Sequence, residues 1–491
     1  VSREEEEILL DLKRPIVLLQ KRDNYDLSRF VAPGINKIGA MLPYTPIHYM
    51  LLDDGFEALV ATSANRSDQP IVADIDEARK ELSDITEHFL DHDRDIFMRI
   101  DDSVTQTIKV DESVLRRARG YVPMPIVLKG KVKEVLAVGG ELKNTICLTK
   151  GEYAFISQHI GDLKGTYSMF HFQRVIQHFM KLNKINPQVI AHDLHPDYLS
   201  TQFAREQDIS AIIPVQHHHA HIVSCMTENG LREPVIGVCF DGLGYGSDGR
   251  MWGGEFMISG LSDFERVGHF KNIGMPGGDA ASREPYRMAL SYLYTVFGKE
   301  VWNMRSIPVI GEVEAEKKEV VLQMIEKNIN CPETSSVGRL FDAVSSILGI
   351  CHIQTYEGQA PMELEAKTRN IPIKYHFHVL EEGDKLIVDP TLIIQEMVRD
   401  LNAGMGIVEI STRFHNTIAW IVAYMAEEIK NSYNLDKVVL SGGVFQNKYL
   451  TERTLEYLDK FGFSAYIHHK VPCNDGGISL GQAIIANERI K

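Results

Sequence analysis

The sequence predicts an α/β fold whose larger part is built as two lobes. Three observations carry this. Short hydrophobic runs of strand character alternate with stretches of helical period. A strand that ends in a glycine-rich turn recurs at 135–140, 235–244 and 437–443. The chain is long enough for a large core, with 491 residues, 44% of them hydrophobic and 24% charged. At roughly 150 residues per domain this gives about three domains or lobes.

The elements follow in order. Val1 is no initiator methionine, and Ser2-Arg3-Glu4-Glu5 reads as a capped helix start. It leads at once into Leu9, Leu10 and Leu12, expected as core, so the sequence is expected to begin part-way through a domain. Pro15–Leu19 and Ala58–Thr62 read as strands, and Asp74–Phe89 as a helix with Ile75, Ala78, Leu82, Ile85 and Phe89 on one side. Pro123, Pro125 and Gly130 mark a linker. Beyond it, Lys150-Gly151-Glu152 reads as the turn of a hairpin. Ser168–Leu182 reads as a helix; Val189–Ala191 and Ala211–Val215 read as strands, the second followed by a helix.

Glycine lets backbone N–H groups approach a phosphate with no Cβ in the way. Three strand–glycine units in one chain therefore suggest two α/β lobes around one nucleotide. Ordinary β-turns closing sheet strands are the plain alternative.

With 52 basic and 67 acidic side chains, the net charge of −15 argues against holding nucleic acid through phosphates. No apolar run approaches the ~18 residues of a membrane span, and no signal-peptide pattern opens the chain. The six cysteines, Cys147, Cys225, Cys239, Cys331, Cys351 and Cys473, form no C-x-x-C pair. They read as buried thiols in a reducing, cytoplasmic setting.

Gln216-His217-His218-His219-Ala220-His221 follows a strand and opens a helix, in a chain with only 19 histidines. His217 and His221 are i and i+4, one turn apart on one helix face, the spacing that offers two imidazoles to one metal. His218 with His221 (i, i+3) is an alternative pairing; a polar helix start is the bland one. Asp241-Gly242-Leu243-Gly244-Tyr245-Gly246 puts an acid at a strand end beside glycines, suited to hold a metal while backbone holds phosphate. Asp475 stands just before a helix near Ile478, either as a further acid of a mixed nitrogen–oxygen site for zinc or iron or as a plain helix cap. Thr62-Ser63-Ala64-Asn65-Arg66-Ser67 reads as a turn or as a loop that recognises a nucleotide or small oxyanion. Arg116, Arg117 and Arg119 read as phosphate forks or as a solvated basic face.

Several strings together resemble the HypF family of carbamoyltransferases, which mature nickel–iron hydrogenases. They are Met41–Pro46, Thr62–Asn65, Arg117–Pro123, Glu141–Thr145, Ile156–Leu163, the histidine cluster, Asp241–Gly246, Tyr356–Ala360 and Ser441–Asn447. The resemblance implies a partial YrdC-like α/β domain over 1–125. A two-lobed, actin/sugar-kinase-type ATPase-like domain follows over 131–491, with lobes near 131–232 and 233–491. It places the family's acylphosphatase domain, zinc fingers and first YrdC-like half outside this sequence. It also implies the chemistry: ATP, with Mg2+, and carbamoyl phosphate give carbamoyl-adenylate. The carbamoyl group then passes to the C-terminal cysteine of a HypE-type partner, toward a cyanide ligand. By the same resemblance His217, His221, Asp241 and Asp475 hold the metal, with Lys143, His217 and His221 catalytic. Gly139, Gly140, Asn144, Gly242, Gly244, Gly442, Gly443 and Asn447 face the nucleotide, and Ser63, Asn65 and Arg119 form the YrdC-like site.

Four competing readings remain: threonylcarbamoyl transfer to tRNA, which the charge disfavours; O-carbamoyl transfer to a small hydroxyl; a non-enzymatic nucleotide-binding scaffold; and a metalloprotease. The last lacks the glutamate after the first histidine, where His218 stands.

Overall fold

The computed structural model describes residues 1–22, 27, 28, 30–53, 55–66 and 69–491; Ser67 of the polar loop lies outside them. It divides into two compact units. One comprises Val1–Leu19, Gly39–Val215 and His468–Lys491, the other Gln20–Ile38 and Gln216–Ile467.

The first unit opens with helix Arg3–Leu10. Ser2 Oγ accepts the Glu5 N–H and the Glu5 carboxylate accepts the Ser2 N–H, a reciprocal cap. The leucines expected as core are not: Leu10 is 56% exposed and Leu12 97%. A helix of two turns buries one narrow face, and here that face carries Glu5.

A four-stranded sheet runs in the order β2-β1-β3-β4, with β1 Ile16–Gln20, β2 Lys37–Ala40, β3 Val104–Ile108 and β4 Asp111–Arg116. β1 and β3 are parallel and β3 and β4 antiparallel. The strand expected over 58–62 does not form. Leu59 and Val60 are exposed, and an extended run without a partner gains no ladder hydrogen bonds. The helix expected over 74–89 covers only Ile75–Leu82, capped by Asp74. It stops where its apolar side stops being buried: Leu82 is covered, Ile85 exposed.

The second sheet of this unit runs β5-β7-β6-β8-β9, with β5 Ile126–Val132, β6 Val135–Ala137, β7 Cys147–Ile156, β8 Val189–Asp193 and β9 Ala211–Val215. Two expectations change here. The stretch read as a linker enters β5 at Ile126. The hairpin read at 150–152 is one continuous strand, β7. Gly151, at φ +59°, lies where the β5–β7 register shifts, so an irregularity absorbs the left-handed residue without reversing the chain. Helix Thr166–Asn183 covers the sheet through Phe172, Val175, Ile176 and Phe179, against Leu136, Leu148 and Ile190. The last helix, Ile478–Arg489, belongs to the same unit: Ser479 Oγ lies 2.8 Å from Thr145 Oγ1, and Gln482 Oε1 accepts the Gly139 N–H at 2.9 Å.

The second unit holds a nine-stranded sheet of path β15-β16-β12-β11-β10-β17-β18. Its strands are β10 Val235–Tyr245, β11 Met251–Ser259, β12 Phe264–Phe270, β13 Ile273–Gly274, β14 Glu333–Thr334, β15 His378–Glu382, β16 Lys385–Asp389, β17 Lys437–Ser441 and β18 Ser464–Tyr466. β10 is antiparallel to β11 and parallel to β17, which is parallel to β18. In the other unit β6 is likewise antiparallel to β7 and parallel to β8, which is parallel to β9. One strand plan thus occurs twice, as a duplicated α/β domain requires.

The turn expected at 241–244 lies inside β10. Phe240 pairs with Gly254 and Gly244 with Trp252, so four steps along β10 match two along β11. The glycines make a bulge, not a chain reversal. All six cysteines are buried. Among the described residues no helix is long and apolar enough to cross a membrane.

Candidate metal centre

Helix His217–Glu228 begins at Gln216, whose Oε1 accepts the His219 N–H at 2.8 Å. The helix lies close on β10 because Gly237 has no side chain: a Cβ there would stand 2.9 Å from Ile222 Cγ1. The first turn of the helix therefore rests over the bulge of β10. His217 and His221 present their rings together, centroids 5.0 Å apart. Their Nε2 atoms lie 3.3 and 3.6 Å from Asp241 Oδ2, with all three donor atoms within 4.8 Å of one another. Asp241 Oδ1 accepts the Gly443 N–H at 2.9 Å. That N–H is aimed by Gly442, at φ +100°, where a Cβ would stand 2.2 Å from the Phe240 carbonyl oxygen.

Burial opposes charge on Asp241, yet hydrogen bonds from His217 and His221 outweigh it and hold the carboxyl well below the usual carboxylate range. Two imidazoles and an ionised carboxylate, nearly inaccessible to water, fit the borderline chemistry of zinc or iron.

The other histidines of the cluster turn elsewhere. His218 Nδ1 lies 3.1 Å from Gln216 Nε2, and burial pushes this imidazole down to about 3. His219 Nε2 meets the Gly260 carbonyl at 2.9 Å. The pair formed is thus i, i+4. Gly244 makes room for it: a Cβ there would stand 2.5 Å from His218 Cε1 and 2.8 Å from His217 Cδ2. Beneath lies a buried acid that sequence reasoning missed. Glu255 Oε1 accepts the Gly253 and Gly254 N–H groups and the Ser335 hydroxyl, and Oε2 accepts Arg266 Nε. Burial raises its pKa, but Arg266 and neighbouring His218 outweigh that and hold it at about 2. Arg266 in turn lies 4.0 Å over the Trp252 ring.

The remaining predicted residues fall in two places. In the second unit, Gly242 sits in the bulge beside Asp241. Asn447 caps helix Lys448–Lys460 through Leu450 N–H and meets His415 Nε2 at 3.0 Å. In the first unit, Gly139 (φ +73°) and Gly140 follow β6. Asn144 Nδ2 donates to the Val138 and Gly140 carbonyls at 2.8 and 2.6 Å, so it shapes this loop. The Lys143 N–H donates to Asp162 Oδ1 at 3.0 Å. Asp475 belongs here too, 3.6 Å from where a Cβ on Gly140 would stand. The cap of its short turn is Asn474, whose side chain accepts the Gly476 N–H; Asp475 is not needed as a cap.

Ser63 and Asn65 lie in an exposed loop that Asn65 Nδ2 closes on the Arg66 and Gln69 carbonyls. Arg119 is held by Asp102 Oδ1 at 2.5 Å and by the Lys13 and Arg14 carbonyls, with its guanidinium 3.5 Å over Tyr44. Arg117 is buried on the Tyr121 and Met124 carbonyls, and Arg116 donates to the Asp102 carbonyl. Neither is a solvated basic face.

Sequence reasoning also missed Ser336. Its Oγ caps helix Val337–Ile347 and donates to the Asp241 carbonyl at 2.8 Å. A serine before an apolar helical run is a readable cap; its second bond was not readable.

Comparison with known proteins agrees with this layout. The family described as "Carbamoyltransferase, Kae1-like Domain, second subdomain" matches residues 237–482, and "HypF Kae1-like domain" matches 130–228. The Sua5/YciO/YrdC family, described as telomere recombination, matches 1–118. The chain is 37% identical over 495 residues to "Carbamoyltransferase HypF" of Synechocystis sp., covering 98% of this chain and 64% of that protein. A crystal structure of "full-length HypF in the phosphate- and nucleotide-bound form" superposes with TM-score 0.95 at 44% identity, covering all of this chain and 77% of the other. That of T. kodakarensis HypF gives 0.91 at 34%, covering all of this chain and 65% of the other. The chain spans slightly under two thirds of the curated relative. From a YrdC-like region through a duplicated Kae1-like domain to the paired imidazoles over an aspartate of the β10 bulge, the chain belongs to the HypF carbamoyltransferase family.

Proposed function

We propose that this chain transfers a carbamoyl group to a thiol, in hydrogenase maturation. Carbamoyl phosphate and ATP, with Mg2+, give carbamoyl-adenylate, inorganic phosphate and pyrophosphate at a site that includes Ser63, Asn65 and Arg119. The acceptor is the C-terminal cysteine of a HypE-type protein. The reading rests on the similarity to HypF proteins. The observation that carries it is the pair of imidazole nitrogens 3.3 and 3.6 Å from one oxygen of Asp241.

In this reading His217, His221 and Asp241 hold a zinc or iron ion, with Asp475 a further donor by the resemblance to the family. Such an ion supplies Lewis-acid stabilisation of the phosphate as AMP departs. Gly442 and Gly443 let the nucleotide approach with no side chain in the way, as Gly139 and Gly140 do in the β6 loop that Asn144 shapes. Asn447 faces the adenosine end. Lys143 sets a positive charge toward the phosphate or carbamoyl group of the adenylate. The partner's thiolate attacks the carbamoyl carbon, the C–S bond forms, and the C–O bond to AMP breaks, AMP keeping the electron pair. No cysteine of this chain is needed: burial pushes Cys351 up to about 11 and Cys147 higher.

Mass spectrometry of a HypE C-terminal peptide, incubated with this chain, carbamoyl phosphate, ATP and Mg2+, tests the reading. A second arm supplies pre-made carbamoyl-adenylate. Carbamoyl on the cysteine is the expected product. Transfer only to hydroxyl compounds would move the assignment to O-carbamoylation. No transfer in either arm by metal-loaded protein would leave a nucleotide-binding scaffold.

A further inference from the structure

Helix Val337–Ile347 starts against the β10 bulge that carries Asp241. Besides the Ser336 bond, a Cβ on Gly338 would stand 2.9 Å from the Asp241 carbonyl oxygen, so the helix start and the bulge are fastened together. Arg339, in the first turn, accordingly has a fixed position. Its backbone N–H donates to Ser336 Oγ, its Nη1 donates to Ser282 Oγ, and its Nε lies 2.8 Å from Asp342 Oδ2, an ion pair without hydrogen-bond alignment.

The third guanidinium nitrogen is left over. Nη2 makes no hydrogen bond among the described residues. A Cβ built on Gly242 would meet this atom alone, at 3.9 Å, with nothing else described within 4 Å. The space beside Gly242, one residue from Asp241, is therefore open and bordered by an anchored cationic nitrogen. An arginine serving only to pair with Asp342 and Ser282 has no need to bring its last donor to a glycine. A planar guanidinium with one edge tethered and one edge open is suited to an anionic oxygen.

We propose that Arg339 is a phosphate-binding residue of this site, with Nη2 donating to a phosphate oxygen of the nucleotide held beside Asp241. This deepens the reading above and rests on it for the nucleotide, though not for the anion.

Calorimetric titration of AMP, adenosine and inorganic pyrophosphate into the wild type and the variants Arg339→Ala, Arg339→Lys and Gly242→Ala decides it, with protein both metal-free and zinc-loaded. Arg339→Ala should weaken AMP about tenfold to a hundredfold, the worth of a charge-assisted hydrogen bond, and leave adenosine unchanged. Arg339→Lys should fall between. Gly242→Ala, which puts a methyl where the oxygen would sit, should weaken AMP without lowering the Tm. Folded Arg339→Ala that binds AMP within about twofold of wild type, or loses adenosine equally, overturns the proposal. If that variant does not fold, unchanged AMP affinity in both others overturns it. A wild type that ignores AMP yet binds pyrophosphate through Arg339 would sink the nucleotide reading alone; one that binds neither sinks both.

Discussion

Gly443 donates its backbone N–H to Asp241 Oδ1 at 2.9 Å across 202 residues of chain. One carboxylate oxygen is fixed by main chain, so the other is left for His217 and His221. The end of β17 thus orients an acid on its neighbour β10, and the parallel pairing that sets Cys239 opposite Ser441 brings the two ends together.

Asp241→Asn keeps this bond's acceptor but turns an N–H2 toward the imidazoles. Metal affinity should fall by at least about tenfold to a hundredfold, the range seen even for outer-sphere changes. Metal titration monitored by calorimetry checks it; unchanged stoichiometry and affinity would remove Asp241 from the donor set.

Gly442→Ala should damage both fold and site. A left-handed backbone at φ +100° costs a residue with a side chain about 1–3 kcal/mol, and the added methyl would run into the Phe240 carbonyl. The Tm should drop and metal binding weaken together. A lower Tm with native metal affinity would show that the Gly443 N–H does not orient Asp241.

Gly244→Ala places its methyl against the rings of His217 and His218. Because the rings are buried and cannot swing outward, His217 must shift. We expect metal affinity to fall about tenfold or more, the scale of mutating a residue that orients a ligand. A metal site insensitive to this change would mean that His217 is not a ligand.

Glu255→Ala removes the buried partner of Arg266, leaving it the more exposed Asp248 at 3.5 Å, and should cost about 3–5 kcal/mol. The pH dependence has a definite sign. The folded carboxyl lies at about 2 against an ordinary 4.5, so its stabilisation is fully present above 4.5 and is lost as pH falls toward 2. Urea melts of wild type and Glu255→Gln should therefore differ by a constant amount above 4.5 and converge below it. A gap that widens on acidification would contradict the assigned ion pair.

The metal pair was legible because its geometry is local: four residues along a helix put His217 and His221 on one face whatever surrounds them. The strand plan was largely legible for the same reason, since Val235–Phe240 and Lys437–Leu440 are continuous apolar runs. The failures share a cause in partner strands. Gly242 and Gly244 read as a turn, yet the cross-strand partners Trp252 and Gly254 keep them in β10. Gly151 reads as a hairpin tip, yet β5 pairs on through it. Ala58–Thr62 has strand composition and no partner. Glu255, Ser336 and Arg339 acquire their roles only from neighbours distant in sequence, and no local pattern announces them.

Residues 468–491 belong to the same unit as 1–19 and 39–215, while the other unit's main stretch, Gln216–Ile467, is inserted between. During translation the Gly139–Gly140 loop therefore waits for Gln482 while the whole insertion emerges, roughly 10–50 s at ~5–20 residues per second. Strands β1–β9 are all made before that stretch, but the helix Ile478–Arg489 that packs on the β6 loop is made after it. Until the last helix docks, apolar residues such as Leu136 and Ile190 lack part of their cover, which makes the half-made chain a client for holding chaperones.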